Sequence, residues 1–323
     1  MNRMLITGFS GFVSRHFLNY LHENHIEMEI MGIDIKEPSF DYHQYEDVLQ
    51  IRFREMNLLD IEELRRLFVL FSPDYILHLA SFSSVAYSWK YPAESFCNNT
   101  NIFLNLVETV NEFNSNCRIL SVGSSEEYGN VTKEDLPLKE RQPLRPVSPY
   151  AVARVSQEML SQVYVNSYHL NIILTRSFNH IGTWQDSRFV IPSFIKRIVD
   201  LKESGASEGV IETGDTTIIR DFVDVRDVVR AYYLLLMNGK CGEVYNICSG
   251  TGIELADVVN IIADEVGVKV RTKINPEYIR RNDNKAIVGS AYKIMDELDW
   301  RPQIPFRKTI QDMIQSYLEE CKR

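Results

Sequence analysis

The sequence predicts an α/β fold, a doubly wound parallel sheet with a second, smaller α/β lobe. Three observations carry that expectation. Short apolar runs of strand length alternate with stretches of helical periodicity through roughly the first 180 residues. The first run, Met4 to Thr7, breaks at Gly8 and Gly11 straight into a helical pattern. From His180 on the regular alternation fails, as expected where several crossings of the chain assemble a second lobe.

Taken in order, Met4–Thr7 reads as a buried strand, and Phe12, Val13, Phe17, Tyr20 and Leu21 recur at helical spacing. Glu29 to Ile33 is a second strand, ending in Asp34. Further strands are expected at Ile51–Leu58, Tyr75–Ala80, Cys117–Val122 and Asn171–Ser177. Between them, Ile61–Phe71 is an amphipathic helix closed by Ser72-Pro73-Asp74, and Ala93–Phe113 is a long helix. A further helix opens at Pro149 and runs to about His169. Ser148 is a good N-cap for it, and Pro149 suits the first helical position. Later, Phe222–Met237 reads as a helix preceded by Arg220-Asp221, and Glu243–Cys248 as a strand returning to the first sheet. Residues 254–266 form an amphipathic helix, 276–287 a charged loop, and Phe306 to about Cys321 the last helix.

Strand, glycine turn and helix in that order are how a dinucleotide pyrophosphate is held. Gly8 permits the tight turn, Gly11 lets the backbone approach the phosphates, and the helix N-terminus offers N–H groups and a positive dipole end. Asp34 falls 23 residues after Gly11, near the place of the ribose-binding acid of Rossmann-type folds. A carboxylate there accepts from an adenosine 2′-hydroxyl and repels a 2′-phosphate, so NAD is the expected cofactor rather than NADP. Ser14 stands where a third glycine is preferred, which costs some closeness of helix to sheet. Ligands of such a sheet lie beyond the carboxyl ends of its strands, where Gly8, Asp34, Ala80 and Ser124 gather, with Asn57 and Leu58 near the adenine. Residues 1–179 with about 221–250 are assigned to the NAD-binding domain, and about 180–220 with 251–323 to the smaller lobe.

With 323 residues, 45% hydrophobic and 24% charged, the composition is that of an ordinary globular protein. The net charge of −9 and the lack of a long basic run argue against nucleic acid as the main partner. Apolar runs such as Tyr232–Met237 are far too short to span a bilayer, and the chain enters a strand at once, so neither membrane segment nor signal peptide is expected. Five scattered cysteines (Cys97, Cys117, Cys241, Cys248, Cys321) show no metal spacing. They suit a reduced, cytoplasmic setting with no metal site.

Ser124 follows a strand, while Tyr150 opens a helix with Arg154 one turn on. A phenol is a suitable acid/base for hydride transfer at a sugar carbonyl, a neighbouring cation favours its ionised form, and a serine hydroxyl can hold the substrate oxygen. With 16 tyrosines and 35 lysines and arginines, such a spacing also arises by chance; placement behind a dinucleotide turn is what raises it. His78, inside a strand, fits a satisfied core histidine better than a catalyst.

The chain resembles the extended short-chain dehydrogenase/reductase family of nucleotide-sugar enzymes over both lobes. The resemblance rests on Gly-Ser-Ser-Glu-Glu-Tyr-Gly (123–129), Ser-Pro-Tyr (148–150), Ser-Phe-Asn-His-Ile-Gly (177–182) and Arg-Asp-Phe-Val-Asp-Val-Arg-Asp-Val-Val (220–229). Within the family these blocks look most like the GDP-mannose 4,6-dehydratase and GDP-4-keto-6-deoxy-D-mannose reductase branch. The resemblance implies that Ser124 and Tyr150 flank the reacting C4 oxygen and that Glu126 matches the glutamate dehydratases use near C5 and C6. Asn179 and Arg220 are implied at the sugar-nucleotide phosphates, with Arg280 and Asp283 gripping phosphate and ribose. The expected cofactor site is completed by Ser10, Phe12, Val13, Leu79, Ser81, Asn99, Val122 and Ser177, together with Tyr150 and Arg154. Ser84, Ser125 and Val190 complete the sugar side.

Three departures stand out. Arg154 replaces the usual lysine four residues after the tyrosine. The loop after Asn179 reads Ile-Gly-Thr-Trp-Gln-Asp-Ser-Arg where the pattern has Gly-Pro-Gly-Gln, so that Trp184 and Arg188 are expected to reshape the sugar pocket. Ser14 replaces the last glycine. The expected activity is NAD-dependent oxidoreduction at C4 of a nucleotide-activated hexose or heptose, GDP-linked, in its leading form the reduction of a 4-keto-6-deoxy sugar. C4 oxidation, alone or followed by dehydration with Glu126 as base, is the alternative, and a nucleotide-binding protein without turnover is a third. The resemblance also implies that the helices near 93–113 and 149–169 pair across a dimer, so a homodimer or homotetramer is expected.

Overall fold

The structure, a computed structural model, describes residues 1–279 and 284–321. In chain order its elements are β1 (Arg3–Thr7), α1 (Phe12–Glu23), β2 (Met28–Asp34), β3 (Leu49–Glu55), α2 (Ile61–Phe71), β4 (Tyr75–His78), α3 (Val85–Lys90), α4 (Pro92–Phe113), β5 (Arg118–Ser124), α5 (Pro149–Tyr168) and β6 (Asn171–Ser177). There follow β7 (Asn179–Ile181), α6 (Val190–Glu203), β8 (Glu208–Thr213), β9 (Ile219–Asp224), α7 (Val225–Asn238), β10 (Val244–Ile247), β11 (Gly252–Glu254), α8 (Leu255–Val266), β12 (Lys269–Ile274), β13 (Ala286–Ile287), α9 (Tyr292–Leu298) and α10 (Phe306–Glu320).

Seven parallel strands make the main sheet in the order β10-β6-β5-β4-β1-β2-β3. Its central strand β1 and the neighbouring β4 are mostly apolar and buried because both faces are covered, whereas edge strand β3 alternates with exposed Gln50 and Arg52. Within β1, Met4 and Ile6 enter one core with Phe17 and Leu21 of α1 and Val228 and Tyr232 of α7. Leu5 turns to the other face, where it meets Leu67 of α2, Phe103 of α4 and Tyr164 of α5. The strand order reverses between β1 and β4, and that switch point fixes where a ligand crevice opens.

A smaller sheet has β9 paired antiparallel to β11 and parallel to β7 and β13, and β8 pairs with β12 beside it. Helices α6, α8 and α10 close a third core around Ile181, Ile195, Phe222, Ile262 and Ile310. Two expectations need correction here. The helix expected from Phe222 starts at Val225, because Phe222 to Asp224 complete β9 beside β7. Asp224 then caps α7 by accepting from the Arg226 N–H. The third strand ends at Glu55, leaving Asn57 and Leu58 in the turn after it. β10 lies beside β6, back in the first sheet as expected. Among the described residues no helix is long and apolar enough to cross a membrane.

Candidate active site

The glycine turn is fitted against the end of β4. Gly8 has φ +71°, and a Cβ there would lie 2.8 Å from the Ala80 amide nitrogen and 2.9 Å from the Leu79 carbonyl carbon. The turn can therefore lie this close only as glycine. Leu79 and Ala80 both donate N–H groups to Thr7 Oγ1, at 3.2 and 3.1 Å. The Thr7 hydroxyl is left to donate to His78 Nδ1 at 2.9 Å. His78 is wholly buried, and desolvation pushes its pKa down to about 3, so it is a neutral core histidine.

Gly11 is the N-cap of α1 and supplies no side-chain cap, so the first N–H groups of the helix face the crevice without an internal partner. Asp34 holds the turn in shape. Its Oδ2 accepts from the Ser10 N–H at 2.9 Å, and its Oδ1 from the Ile35 N–H at 2.7 Å. The Ser10 hydroxyl donates to the Lys36 carbonyl at 2.6 Å. Phe12 stacks on His180, with ring centroids 5.7 Å apart. Ser14 is fully buried and its Oγ has no hydrogen-bond partner, a polar atom set where the fold prefers none.

Of the other residues expected at the cofactor, Val13 is half-buried in the first turn of α1 and Asn57 is exposed. Leu58 packs into the core of the α2 face. Asn99 pins the loop after β4, accepting from the Phe82 N–H at 2.8 Å and donating to its carbonyl at 3.2 Å. Ser81 Oγ is buried there without a partner, and Ser84 caps α3 through the Tyr87 N–H.

The chemistry gathers where β5 ends. Ser124 and Ser177 are register partners on β5 and β6. A 3-10 turn, Ser125–Tyr128, follows Ser124 and carries Glu126 beside it. Ser124 Oγ accepts from the Glu126 N–H at 3.2 Å, while its own N–H donates to Glu127 Oε1 at 2.6 Å. Ser125 is buried in the same turn. Tyr150, in the first turn of α5, is 7% exposed. Arg154 Nε donates to its hydroxyl oxygen at 3.2 Å. Nη1 of the same guanidinium donates to the Val122 carbonyl at 3.1 Å and to Gln157 Oε1 at 2.7 Å. The arginine thus stands where it can stabilise negative charge on the phenol oxygen. Ser177 Oγ meets Tyr232 Oη at 2.7 Å.

Beneath this layer is a charged cluster the sequence does not announce. Arg176 forks onto Glu158 at 2.9 and 2.7 Å, and Glu127 lies 3.9 Å from the same guanidinium. Burial, then the adjoining Glu158, raise the Glu127 carboxyl well above its ordinary range. Gly123 makes room for the arrangement: a Cβ there would stand 2.4 Å from both Glu127 Oε1 and the Thr175 carbonyl.

On the far side of the crevice Asn179 is exposed at the start of β7, and Val190 opens α6 at 36% exposure. Arg220 is 7% exposed, and its Nη1 donates to the Ile219 and Asn284 carbonyls, each at 2.9 Å. Asn284 also accepts from the Val131 N–H and donates to the Gly129 carbonyl, which ties Arg220 to the loop after Ser124. Arg280 and Asp283 lie outside the described residues. Trp184 packs on α1: its ring is 3.5 Å from the Arg15 guanidinium and 4.8 Å from the His16 ring. Arg188 is exposed and paired with Asp186 at 3.2 Å.

The family model described as GDP-mannose 4,6 dehydratase matches residues 5–313. GDP-6-deoxy-D-mannose reductase of Pseudomonas aeruginosa is 29% identical over 315 residues, covering 98% of this chain and 97% of the relative. Among solved structures, RMD from Pseudomonas aeruginosa complexed with NADPH superposes with a TM-score of 0.85 at 28% identity, covering 99% of this chain and 100% of that one. UDP-glucose 4-epimerase of Thermotoga maritima with UDP-glucose gives 0.87 at 26% identity, covering 99% of each chain. A match across nearly the whole chain, both lobes included, leaves one conclusion: the chain belongs to the GDP-mannose 4,6-dehydratase family.

Proposed function

We propose that this protein is an NAD-dependent oxidoreductase acting at C4 of a GDP-linked sugar, reducing a 4-keto-6-deoxy hexose. The observation that carries the reading is the phenol of Tyr150, held by Arg154 Nε at 3.2 Å beside the strand that ends in Ser124. In this reading Tyr150 delivers a proton to the C4 oxygen as negative charge develops there, and Ser124 orients that oxygen by a hydrogen bond. Arg154 stabilises the phenolate that remains.

The residues fit a dinucleotide. Gly8 leaves a cradle that a Cβ would fill, and the uncapped start of α1 offers N–H groups to a diphosphate. When bound, NAD(H) exchanges two electrons and a hydrogen with C4. Asp34, already accepting two backbone N–H groups, favours a free adenosine 2′-hydroxyl over a 2′-phosphate, although the structure of RMD from Pseudomonas aeruginosa is with NADPH. Arg220 and Asn179 are assigned to the sugar-nucleotide phosphates. The family's own description and Glu126 in the turn after Ser124 support a second reading, C4 oxidation followed by loss of water.

Exposed Val152, Met159 and Val163 on α5, which packs along α4, support pairing of two chains through these helices, and five free cysteines support a cytoplasmic setting. Mixing the protein with NADH and a GDP-4-keto-6-deoxy hexose should consume NADH absorbance, and with NAD and GDP-mannose should give no product lighter by one water in mass spectrometry. Turnover of the second mixture alone would replace the reductase reading with the dehydratase one, and turnover of neither would refute both.

A further inference from the structure

Arg154 is a buried cation whose hydrogen-bond partners among the described residues are all neutral: the Tyr150 hydroxyl, the Val122 carbonyl and the Gln157 side-chain oxygen. A lysine ammonium is a compact charge with rotatable donors and can meet a phenol wherever its stem allows. A guanidinium is a rigid planar fork, so which nitrogen faces the phenol depends on what holds the others. Here the shortest of the three bonds, 2.7 Å, runs from Nη1 to Gln157 Oε1.

Gln157 has only one serviceable orientation. Its Nε2 donates to Ser121 Oγ at 2.9 Å and to the Val122 carbonyl at 3.2 Å. Ser161 backs this arrangement, with its Oγ 3.3 Å from Ser121 Oγ and donating to the Gln157 carbonyl at 2.9 Å. Turned over, the amide would set its NH2 against the N–H groups of Arg154. Gln157 is 2% exposed, so no solvent would relieve that clash of donors.

We propose that Gln157 is a positioning residue: by holding Nη1 of Arg154 it aims Nε at the Tyr150 oxygen, and so lets arginine serve in this chain where the family pattern has lysine. The proposal rests on the reading of Tyr150 and Arg154 as the acid/base pair. It implies that Gln157 is coupled to the arginine specifically, since an ammonium at position 154 has no fork to orient.

The test is a cycle of Gln157→Met, Arg154→Lys and the double variant, with Tyr150→Phe alongside. Methionine keeps the length of glutamine and removes its hydrogen bonds. Gln157→Met should lower kcat about 10-fold or more while KM for the GDP sugar and Kd for NADH, from fluorescence titration, stay within about 2-fold. In the lysine background the same change should alter kcat by less than about 2-fold. Equal losses in both backgrounds would mean a general packing role and overturn the proposal, as would a parental kcat in Gln157→Met. Should Gln157→Met fail to fold, Gln157→Asn keeps an amide in the core but withdraws it from Nη1, and the same pattern is expected. Full activity in Tyr150→Phe would instead refute the acid/base reading beneath the proposal.

Discussion

Gly123→Ala is a sharp test of how the active-site turn is held. The new Cβ would stand 2.4 Å from the Thr175 carbonyl oxygen and 2.4 Å from Glu127 Oε1, closer than real Cβ atoms come. Thr175 belongs to β6, whose ladder with β5 runs from Arg118–Asn171 to Ser124–Ser177, so its carbonyl cannot withdraw without opening the sheet. The Glu127 carboxyl must move instead, giving up the 2.6 Å bond from the Ser124 N–H. Overpacking costs about 1–3 kcal/mol, and a lost neutral hydrogen bond about 1 kcal/mol more. Together they lower stability by about 2–4 kcal/mol, or roughly 3–6 °C in Tm for a chain of this size. Because the bond that breaks shapes the turn presenting Ser124, kcat should fall while NADH affinity, set at the distant glycine turn, holds. Thermal melting, steady-state kinetics and NADH titration check the three parts. A variant with parental Tm and kcat would show that Gly123 makes no room that matters and that Glu127 does not shape the turn.

Asp34→Ala should narrow a preference for NADH over NADPH measured by fluorescence titration, and equal affinities in the parent would sink that assignment. Tyr150→Phe should lower kcat by about 10²–10⁴-fold with NADH binding unchanged; a smaller loss in stopped-flow turnover would point to another proton donor. Arg220→Ala should weaken GDP binding by about 1.5–3 kcal/mol in calorimetry and leave NADH binding alone, whereas parental GDP affinity would move the phosphate site elsewhere. Glu127 has its pKa raised by burial and Glu158, so its contribution is fully present below its ordinary value of 4.5 and is lost as pH rises through the folded-state value. Glu127→Gln keeps the neutral shape, so in urea unfolding its stability relative to the parent should grow with pH; a difference independent of pH would show that Glu127 is already ionised.

The main sheet is legible in the sequence because burial on both faces writes short apolar runs, as in Met4–Ile6, Ile76–Leu77 and Ile172–Leu174. Ile61–Phe71 and Asn171–Ser177 end where their flanking residues say they should. The second lobe is harder for equally physical reasons. β12 has no buried side chain and β8 only two, so neither shows an apolar run. Buried apolar residues run on from β9 into α7 through Phe222, Val223, Val225 and Val228, with Asp224, Arg226 and Asp227 set among them. In such a series the strand–helix border is marked only by Asp224, whose capping role needs the structure to be seen. α6 starts without a side-chain cap, which removes the usual signal for its beginning.

The same contrast runs through the site. Ser124, Tyr150 and Arg154 stand in short local motifs, but the groups that set their electrostatics do not. Gln157 and Glu158 on α5, Glu127 after β5 and Arg176 on β6 meet only because β5 pairs with β6 under α5. Their charges nearly cancel. Arg176 is matched by the fork onto Glu158, and burial beside Glu158 favours the neutral form of Glu127. Of these buried charges the one left uncompensated is Arg154, and its Nε donates to the Tyr150 oxygen. An ionised Glu127 would line the same small void as Arg154 and oppose its charge in a medium where opposition is strong. On the proposed acid/base reading, a Glu127 biased toward its neutral form and a Gln157 that holds Nη1 serve one end, a positive charge aimed at the phenol. In that reading a guanidinium, bulkier and less mobile than an ammonium, does a lysine's work.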